Sequence, residues 1–346
     1  MQRSDYDLAF LLRYENVAWY EGGKVRILDR RIYPVETKYV TCENHEDVAL
    51  AIRDMVTQSG GPYTAASMGM ALAAYEARDF AEDKFLQYME SAAYTLSHAR
   101  PTTVKNMAQI TNRALLLAKS EIAAGKNTHH IAEAIFNDNI SRLNEHYVWY
   151  EKIGDFLFKL IPRNGIIMTQ CFAETVLGML LRTCKRYGAN IRFICPETRP
   201  YYQGARLSAS VIHDMGFDVT VISDNMSAYV MKEKKVDVFT SAADVICMDG
   251  HIVNKIGTFQ IALAAKHYGI PYFVTGTPNK YHATIDTVVI EERGPELTLE
   301  SLGKKHTLPG VKGYYPAFDI TPPEFCNGVV TNKGVYHCGD LWKYFE

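Results

Sequence analysis

Residues 165–174 read GIIMTQCFAE. The apolar run Ile166, Ile167, Met168 stops at Thr169, Gln170 and Cys171, and residues 175–187 continue at helical spacing, as a buried parallel strand does when feeding its helix. Cys171 therefore falls at the carboxyl end of a strand. Open α/β sheets bind ligands in the crevice at that end, and a helix N-terminus beside a thiol lowers its pKa. The same residue also reads as a small apolar core side chain, so the stretch decides the fold and leaves the chemistry open.

Working outward, the Pro162-Arg163-Asn164-Gly165 stretch opens an alternation of strand and helix. Strands are expected at 166–169, 191–195, 219–223, 236–240, 272–275 and 287–290, with helices at 175–187, 203–215, 225–234 and 258–268 between them. Repeated β-α units require a parallel sheet with right-handed crossovers, so residues 161–346 form a doubly wound α/β domain. Residues 1–160 read differently. Short antiparallel strands are expected at 17–20, 24–28 and 38–42, the first two joined by Gly22-Gly23. A helix then keeps Val48, Ile52 and Val56 on one face until Ser59-Gly60-Gly61-Pro62 stops it. Further helices are expected at 63–78, 81–99, 103–124 and 128–160, separated by breaks that include Arg100-Pro101-Thr102 and Gly125-Lys126-Asn127. This half is a small sheet with a helical bundle, and the change of pattern puts the boundary near residues 155–164.

A chain of 346 residues suits about two domains, and 47 % apolar with 22 % charged residues is a globular composition. The net charge of -2 argues against binding a nucleic-acid backbone. Seven cysteines, an odd number without paired spacing, indicate a reducing compartment. Asp5, Asp7 and Arg13 interrupt the apolar N-terminus, which lacks a signal-peptide pattern, and no later run is long enough to span a membrane. A cytoplasmic location is expected.

No G-x-G-x-x-G follows the first α/β strand, and neither a P-loop nor a G-x-S-x-G elbow occurs. His337-Cys338 with Cys326, and His129-His130 with His146, lack a metal-binding spacing. What remains is a set of polar residues just after strands: residues 196–207, Asp224-Asn225-Met226, Ser241-Ala242-Ala243-Asp244, and Asn254-Lys255-Ile256-Gly257-Thr258 ahead of the next helix. Asp244 follows an apolar strand and two alanines, so burial is expected to keep its carboxyl protonated as a general acid. Cys171, as thiol or thiolate, is the partner base. Lys255, Arg100 and the helix start at Gly257-Thr258 are candidates to hold an anion, a combination suited to proton transfer on a phosphorylated metabolite. Structural readings stand beside these: Asp244 as a turn cap, Asn254 as a helix cap, and Arg199 and Arg206 as partners of Glu197.

The motifs ETRPYYQGARL (197–207), SDNMSA (223–228), SAADVICMDGHIVNKIGT (241–258) and IEERGPE (290–296), within a similarity running from VALAIRDMV (48–56) to PAFDITPPE (316–324), resemble the methylthioribose-1-phosphate isomerase family. That family shares a superfamily with ribose-1,5-bisphosphate isomerases and the regulatory subunits of the exchange factor for eukaryotic translation initiation factor two. The resemblance implies an N-terminal sheet and bundle, a C-terminal Rossmann-like domain, a homodimer, and no metal or nicotinamide cofactor. It places the catalytic pair on Cys171 and Asp244. Substrate contacts fall on Arg100, Gln203, Asn254 and Lys255, with Ser59 and Gly60 in the phosphate loop. The implied reaction converts an aldose 1-phosphate to a ketose 1-phosphate; because the anomeric carbon carries the ester, the enzyme itself must open the ring.

Departures from the family pattern lie around this pair. Ser59-Gly60-Gly61-Pro62 stands where Arg-Gly-Ala-Pro is usual, Thr169-Gln170-Cys171-Phe172-Ala173-Glu174 where Thr-His-Cys-Asn-Ala-Gly is usual, and Tyr201-Tyr202 replaces a smaller aliphatic pair. Val245 takes the place of an arginine after Asp244. The expected substrate is a pentose 1-phosphate modified at C5, either methylthioribose 1-phosphate or the 5-deoxyribose 1-phosphate of 5-deoxyadenosine salvage. A ribose-1,5-bisphosphate isomerase and a catalytically silent sugar-phosphate or nucleotide sensor are the alternatives.

Overall fold

The computed structural model describes residues 3–100 and 104–346, which group into two compact units: Phe10–Tyr147 with the segment ending at Tyr6, and Val148–Glu346 with Asp7–Ala9. In the first unit, β1 (Ala18–Glu21), β2 (Lys24–Leu28) and β3 (Tyr39–Cys42) pair antiparallel in that order. Val25 and Ile27 are buried while Lys24 and Arg26 face outward, the alternation of a one-sided sheet. Asn44 caps α1 (His45–Arg53), its side chain accepting a bond from the Asp47 amide at 2.7 Å.

The next helix, α2 (Gly61–Glu76), is apolar on nearly every face and lies inside this unit's core. A Cβ at Gly69 would stand 3.0 Å from Leu96 and 3.1 Å from Val48, so a side chain is missing where neighbours crowd in. Helices α3 (Glu82–Ser97) and α4 (Val104–Ala123) follow, and α5 (Ile131–Phe158) carries the chain into the second unit. Of the break expected at 100–102 and the helix start expected at 103, residues 101–103 lie outside the described residues.

The second unit runs β4 (Ile166–Met168), α6 (Thr175–Arg186), β5 (Arg192–Pro196), a π-turn at Gly204–Ser208 leading into α7 (Ala209–Asp214), then β6 (Asp218–Ile222), α8 (Ser227–Lys234) and β7 (Val238–Ala242). After these come β8 (Val245–Ile246), β9 (Ile252–Lys255), α9 (Thr258–His267), β10 (Tyr272–Thr275), β11 (Glu300–Ser301), β12 (Lys304–Lys305), β13 (Phe318–Thr321), β14 (Gly328–Val330) and β15 (Val335–Tyr336). Seven strands form one sheet in the order β15-β14-β10-β7-β4-β5-β6, parallel except for β15. The chain moves outward from β4 through β5 to β6, then returns to β7 on the other side of β4. The strand order therefore reverses between β4 and β7, and a ligand crevice belongs outside the carboxyl ends of those two strands.

Two expectations need correction. Residues 287–290 form no strand: they follow a 3-10 turn (Ile285–Thr287), Val289 is 90 % exposed, and the place beside β10 is taken by β14. Strand-forming residue types without a free sheet edge to pair with remain a loop. Asn254 and Lys255 are not in a loop ahead of a helix but on β9, the middle strand of a small antiparallel sheet β13-β9-β8.

Gly204 begins the π-turn where the chain doubles back on β5, and a Cβ there would lie 1.8 Å from the Pro196 carbonyl oxygen. By contrast Gly216, at φ +79°, faces open space. In urea unfolding followed by circular dichroism, Gly204→Ala is expected to lose about 3 kcal/mol or to fail to fold. Gly216→Ala should lose only about 1 kcal/mol, from backbone conformation alone.

Candidate active site

The loop leaving β4 is shaped by backbone that ordinary residues avoid. Cys171 has φ +58° and Glu174, at the start of α6, φ +45°; across the crevice mouth Thr198 has φ +64° and Tyr202 φ +56°. Such conformations persist only where surrounding contacts impose them. Here the Cys171 amide donates to Thr198 Oγ1 at 3.2 Å and the Cys171 carbonyl accepts from Ser208 Oγ at 2.5 Å. Gln170 Nε2 donates to the Ile256 carbonyl at 3.1 Å. Thr198 is fixed in turn by Asp224, whose two carboxylate oxygens accept the Thr198 and Arg199 amides at 2.7 and 2.8 Å. A cavity of about 20 Å³ beneath this loop, lined by Thr169, Gln170, Ser208 and Thr240 among others, has room for about one water. It is too small for a sugar phosphate.

Cys171 is half-buried, whereas the other six cysteines are buried. Burial pushes its thiol up to about 11 and the charge of Asp244 adds to the rise, while Lys255 and Arg293 oppose it. The expected lowering by a helix terminus is thus outweighed, and Cys171 is a thiol at neutral pH.

Lys255 is 4 % exposed. Its Nζ lies 4.8 Å from the ring centre of Phe318 and 5.9 Å from that of Tyr315. Burial foremost, then the positive charge of Arg293, lowers its pKa, against the pull of Cys171, Asp244 and Glu291. The Arg293 guanidinium stands 5.7 Å from both the Phe318 and Tyr201 rings and is bonded to Glu291 Oε1 at 2.8 Å. Burial works against its charge, yet Glu291 more than compensates and the pKa rises. Arg293, between β10 and β11, and Tyr315, just before β13, are not among the site residues expected from the sequence. The available signal was the IEERGPE motif for the former and proximity to PAFDITPPE for the latter.

Of the residues expected in the site, Cys171, Gln203, Asp244, Asn254 and Lys255 all belong to the second unit. Asp244 lies at the turn between β7 and β8, anchored by its amide to the Val253 carbonyl at 2.9 Å, and it is exposed. The burial invoked to protonate it is therefore absent. Burial does raise the carboxyl of Glu197, and that of Asp319, on β13 opposite Asn254, to about 6. Asp319 Oδ2 accepts the Gly257 and Phe259 amides at 2.7 and 3.1 Å, capping α9. Gln203 is 5 % exposed, and its Oε1 has no hydrogen-bond partner among the described residues. Asn254 Nδ2 donates to Thr258 Oγ1 at 3.1 Å, a structural contact of the kind the helix-cap reading anticipated.

Arg100, Ser59 and Gly60 belong to the first unit. Arg100 is half-buried just beyond α3; Ser59, at φ +59°, is exposed, and Gly60 is the residue before α2. Among the described residues, one group of His, Cys, Asp and Glu side chains has the spacing to hold a metal: His45, Glu46 and Glu76, also in the first unit. There His45 Nδ1 is already 2.9 Å from Glu76 Oε2, which accepts from the Tyr88 hydroxyl at 2.5 Å.

Residues 59–338 match the model of the initiation factor 2 subunit family. A methylthioribose-1-phosphate isomerase of Thermosipho africanus is 34 % identical over 94 % of this chain and 97 % of its own length. Among solved structures, the 5-methylthioribose 1-phosphate isomerase of Pyrococcus horikoshii superposes with a TM-score of 0.84 at 29 % identity, covering 95 % of this chain and 94 % of that one. A translation initiation factor eIF-2B delta subunit from A. fulgidus gives a TM-score of 0.81 at 30 % identity, over 93 % and 96 % of the two chains. With identity at this level along almost the whole chain, the protein belongs to the methylthioribose-1-phosphate isomerase family, within the broader initiation factor 2 subunit family.

Proposed function

We propose that the protein isomerises a C5-modified aldopentose 1-phosphate to the ketose 1-phosphate, with methylthioribose 1-phosphate and 5-deoxyribose 1-phosphate as the candidate substrates. One observation carries the reading: Cys171 and Asp244 follow β4 and β7, the two strands between which the sheet order reverses, with Lys255 close enough for its charge to act on Cys171. In this scheme Asp244 gives a proton to the ring oxygen and opens the ring. Its exposure in the free protein means that bound substrate, rather than the fold, supplies the dry surroundings a general acid needs. The Lys255 ammonium holds phosphate or a developing oxyanion, and the dianion's arrival favours its charged form. Because Cys171 is a thiol at neutral pH, it is suited to stand beside a hydride shift from C2 to C1, in which the C2 hydroxyl gives its proton to the carboxylate that ring opening leaves on Asp244 as the C2 carbonyl forms; a proton-transfer route requires that Cys171 first lose its proton to a neighbour. The buried Oε1 of Gln203, without a partner among the described residues, is suited to accept from a sugar hydroxyl.

A second reading, a bisphosphate substrate, is favoured by the guanidinium of Arg293 beside Lys255. Its ion pair with Glu291 offsets that charge, which ranks the monophosphate first.

Proton NMR of the anomeric signal distinguishes these substrates. The signal is expected to give way to that of a ketose with 5-deoxyribose 1-phosphate or methylthioribose 1-phosphate; persistence with both in folded protein counts against the proposal. Cys171→Ala should lower kcat by about 100-fold or more while KM stays within about threefold. Wild-type turnover in that variant excludes the assigned role. Iodoacetamide labelling of ligand-free protein, read by peptide mass spectrometry, is expected to accelerate at Cys171 until the pH nears about 11. The raised thiol pKa dictates that direction, since the reactive thiolate accumulates only as pH approaches it. A plateau already at pH 8 to 9, the range of an ordinary thiol, contradicts this.

A further inference from the structure

Tyr315 is 3 % exposed, and among the described residues its hydroxyl has no hydrogen-bond partner. The ring is well held. Its backbone carbonyl accepts the Arg293 amide at 3.0 Å, its face meets the Tyr201 ring at a centroid distance of 6.1 Å, and Lys255 Nζ lies 5.9 Å from its centre. Phenylalanine would provide the same packing, so the hydroxyl adds a buried polar group; the Arg293 guanidinium bears on its oxygen as a donor, and among the described residues its O–H finds no acceptor. That group is near enough to Cys171, Arg293 and Tyr201 for charge on each to act on it, with burial as the largest influence. It therefore lies at the crevice already described. With a guanidinium and an ammonium as neighbours, both donors only, the missing partner on this side of the crevice is an acceptor.

We propose that Tyr315 is a substrate-binding residue whose hydroxyl, beside Arg293, donates a hydrogen bond to an acceptor oxygen of the sugar phosphate. The inference rests on the sugar-phosphate reading above and adds to it a residue and a preference. A site with a buried donor of this kind rejects an analogue lacking the matching oxygen more strongly than an apolar pocket rejects an extra group, because the donor is then left unpaired. The Tyr201 ring, under Arg293 and against Tyr315, positions both groups.

Tyr315→Phe separates this role from a structural one. Without ligand, its melting temperature should equal that of the wild type within about a degree or exceed it, since a buried O–H without an acceptor is removed along with a weak contact to Arg293. Its affinity for 5-deoxyribose 1-phosphate, measured by calorimetry, should fall about tenfold, with inorganic phosphate as the reference ligand that lacks the sugar. A ligand-free melting temperature lowered by several degrees overturns the proposal, because the hydroxyl would then have a structural partner. Affinity unchanged within twofold also overturns it, as does failure of the wild type to bind any of 5-deoxyribose 1-phosphate, methylthioribose 1-phosphate and ribose 1,5-bisphosphate. Wild-type binding without turnover, accompanied by weakened binding in the variant, supports the role of Tyr315 and removes the isomerase reading alone.

Discussion

Holding two cations out of water beside a thiol is the constraint to which the second unit answers. An ammonium and a guanidinium taken into a protein interior each lose several kcal/mol of hydration unless paired. Lys255 and Arg293 share the Phe318 ring and, between them, the charges of Glu291 and Asp244. The small sheet β13-β9-β8 makes this possible by setting Phe318 in register with Lys255 and Asp319 with Asn254. Aromatic faces soften the charge without neutralising it. What results is a crevice with cationic character that an anion would relieve.

Strain accompanies charge. Four non-glycine residues at positive φ, Cys171, Glu174, Thr198 and Tyr202, lie in the segments after β4 and β5; Asp224 from the segment after β6 holds Thr198 through the Thr198 and Arg199 amides, and Thr198 Oγ1 in turn accepts the Cys171 amide. Each such conformation costs on the order of 1–3 kcal/mol. Gly204 is the counterpart: only the absence of a side chain lets the π-turn pass the Pro196 carbonyl. The position of Cys171 thus depends on contacts from three strand ends, and β4 alone does not define it.

The alternating half of the fold was legible because parallel strands buried on both faces read as continuous apolar runs, as in Ile166-Ile167-Met168. The short antiparallel strands of the first unit were legible too, from alternation around Gly22-Gly23, but those within the alternating half were not. β8 has two residues, β9 contains Asn254 and Lys255, and β13 contains Asp319, so neither length nor alternation announced them. Residues 287–290 failed the other way, having strand-forming side chains without a sheet position. Asp244 was misread because two preceding alanines and an apolar strand say nothing about a turn that swings outward. Cys171 and Lys255 were visible from their places after or between elements. Arg293 and Tyr315 depend on the β9–β13 pairing, across about 60 residues of chain, which no local pattern encodes.

The free site is undersatisfied in a consistent sense. Among the described residues Gln203 Oε1 is a buried acceptor without a partner, the Tyr315 O–H lacks an acceptor, and Lys255 and Arg293 bring positive charge. An anion answers that charge, and a cation does not. Unpaired buried groups weaken the empty protein and strengthen discrimination once a ligand supplies their partners, the usual opposition between stability and function. The raised Cys171 thiol belongs to the same balance. Charge on Lys255 and Arg293 favours the thiolate, and burial together with the charge of Asp244 outweighs it, so the same burial that concentrates positive charge in the crevice keeps the sulfur protonated.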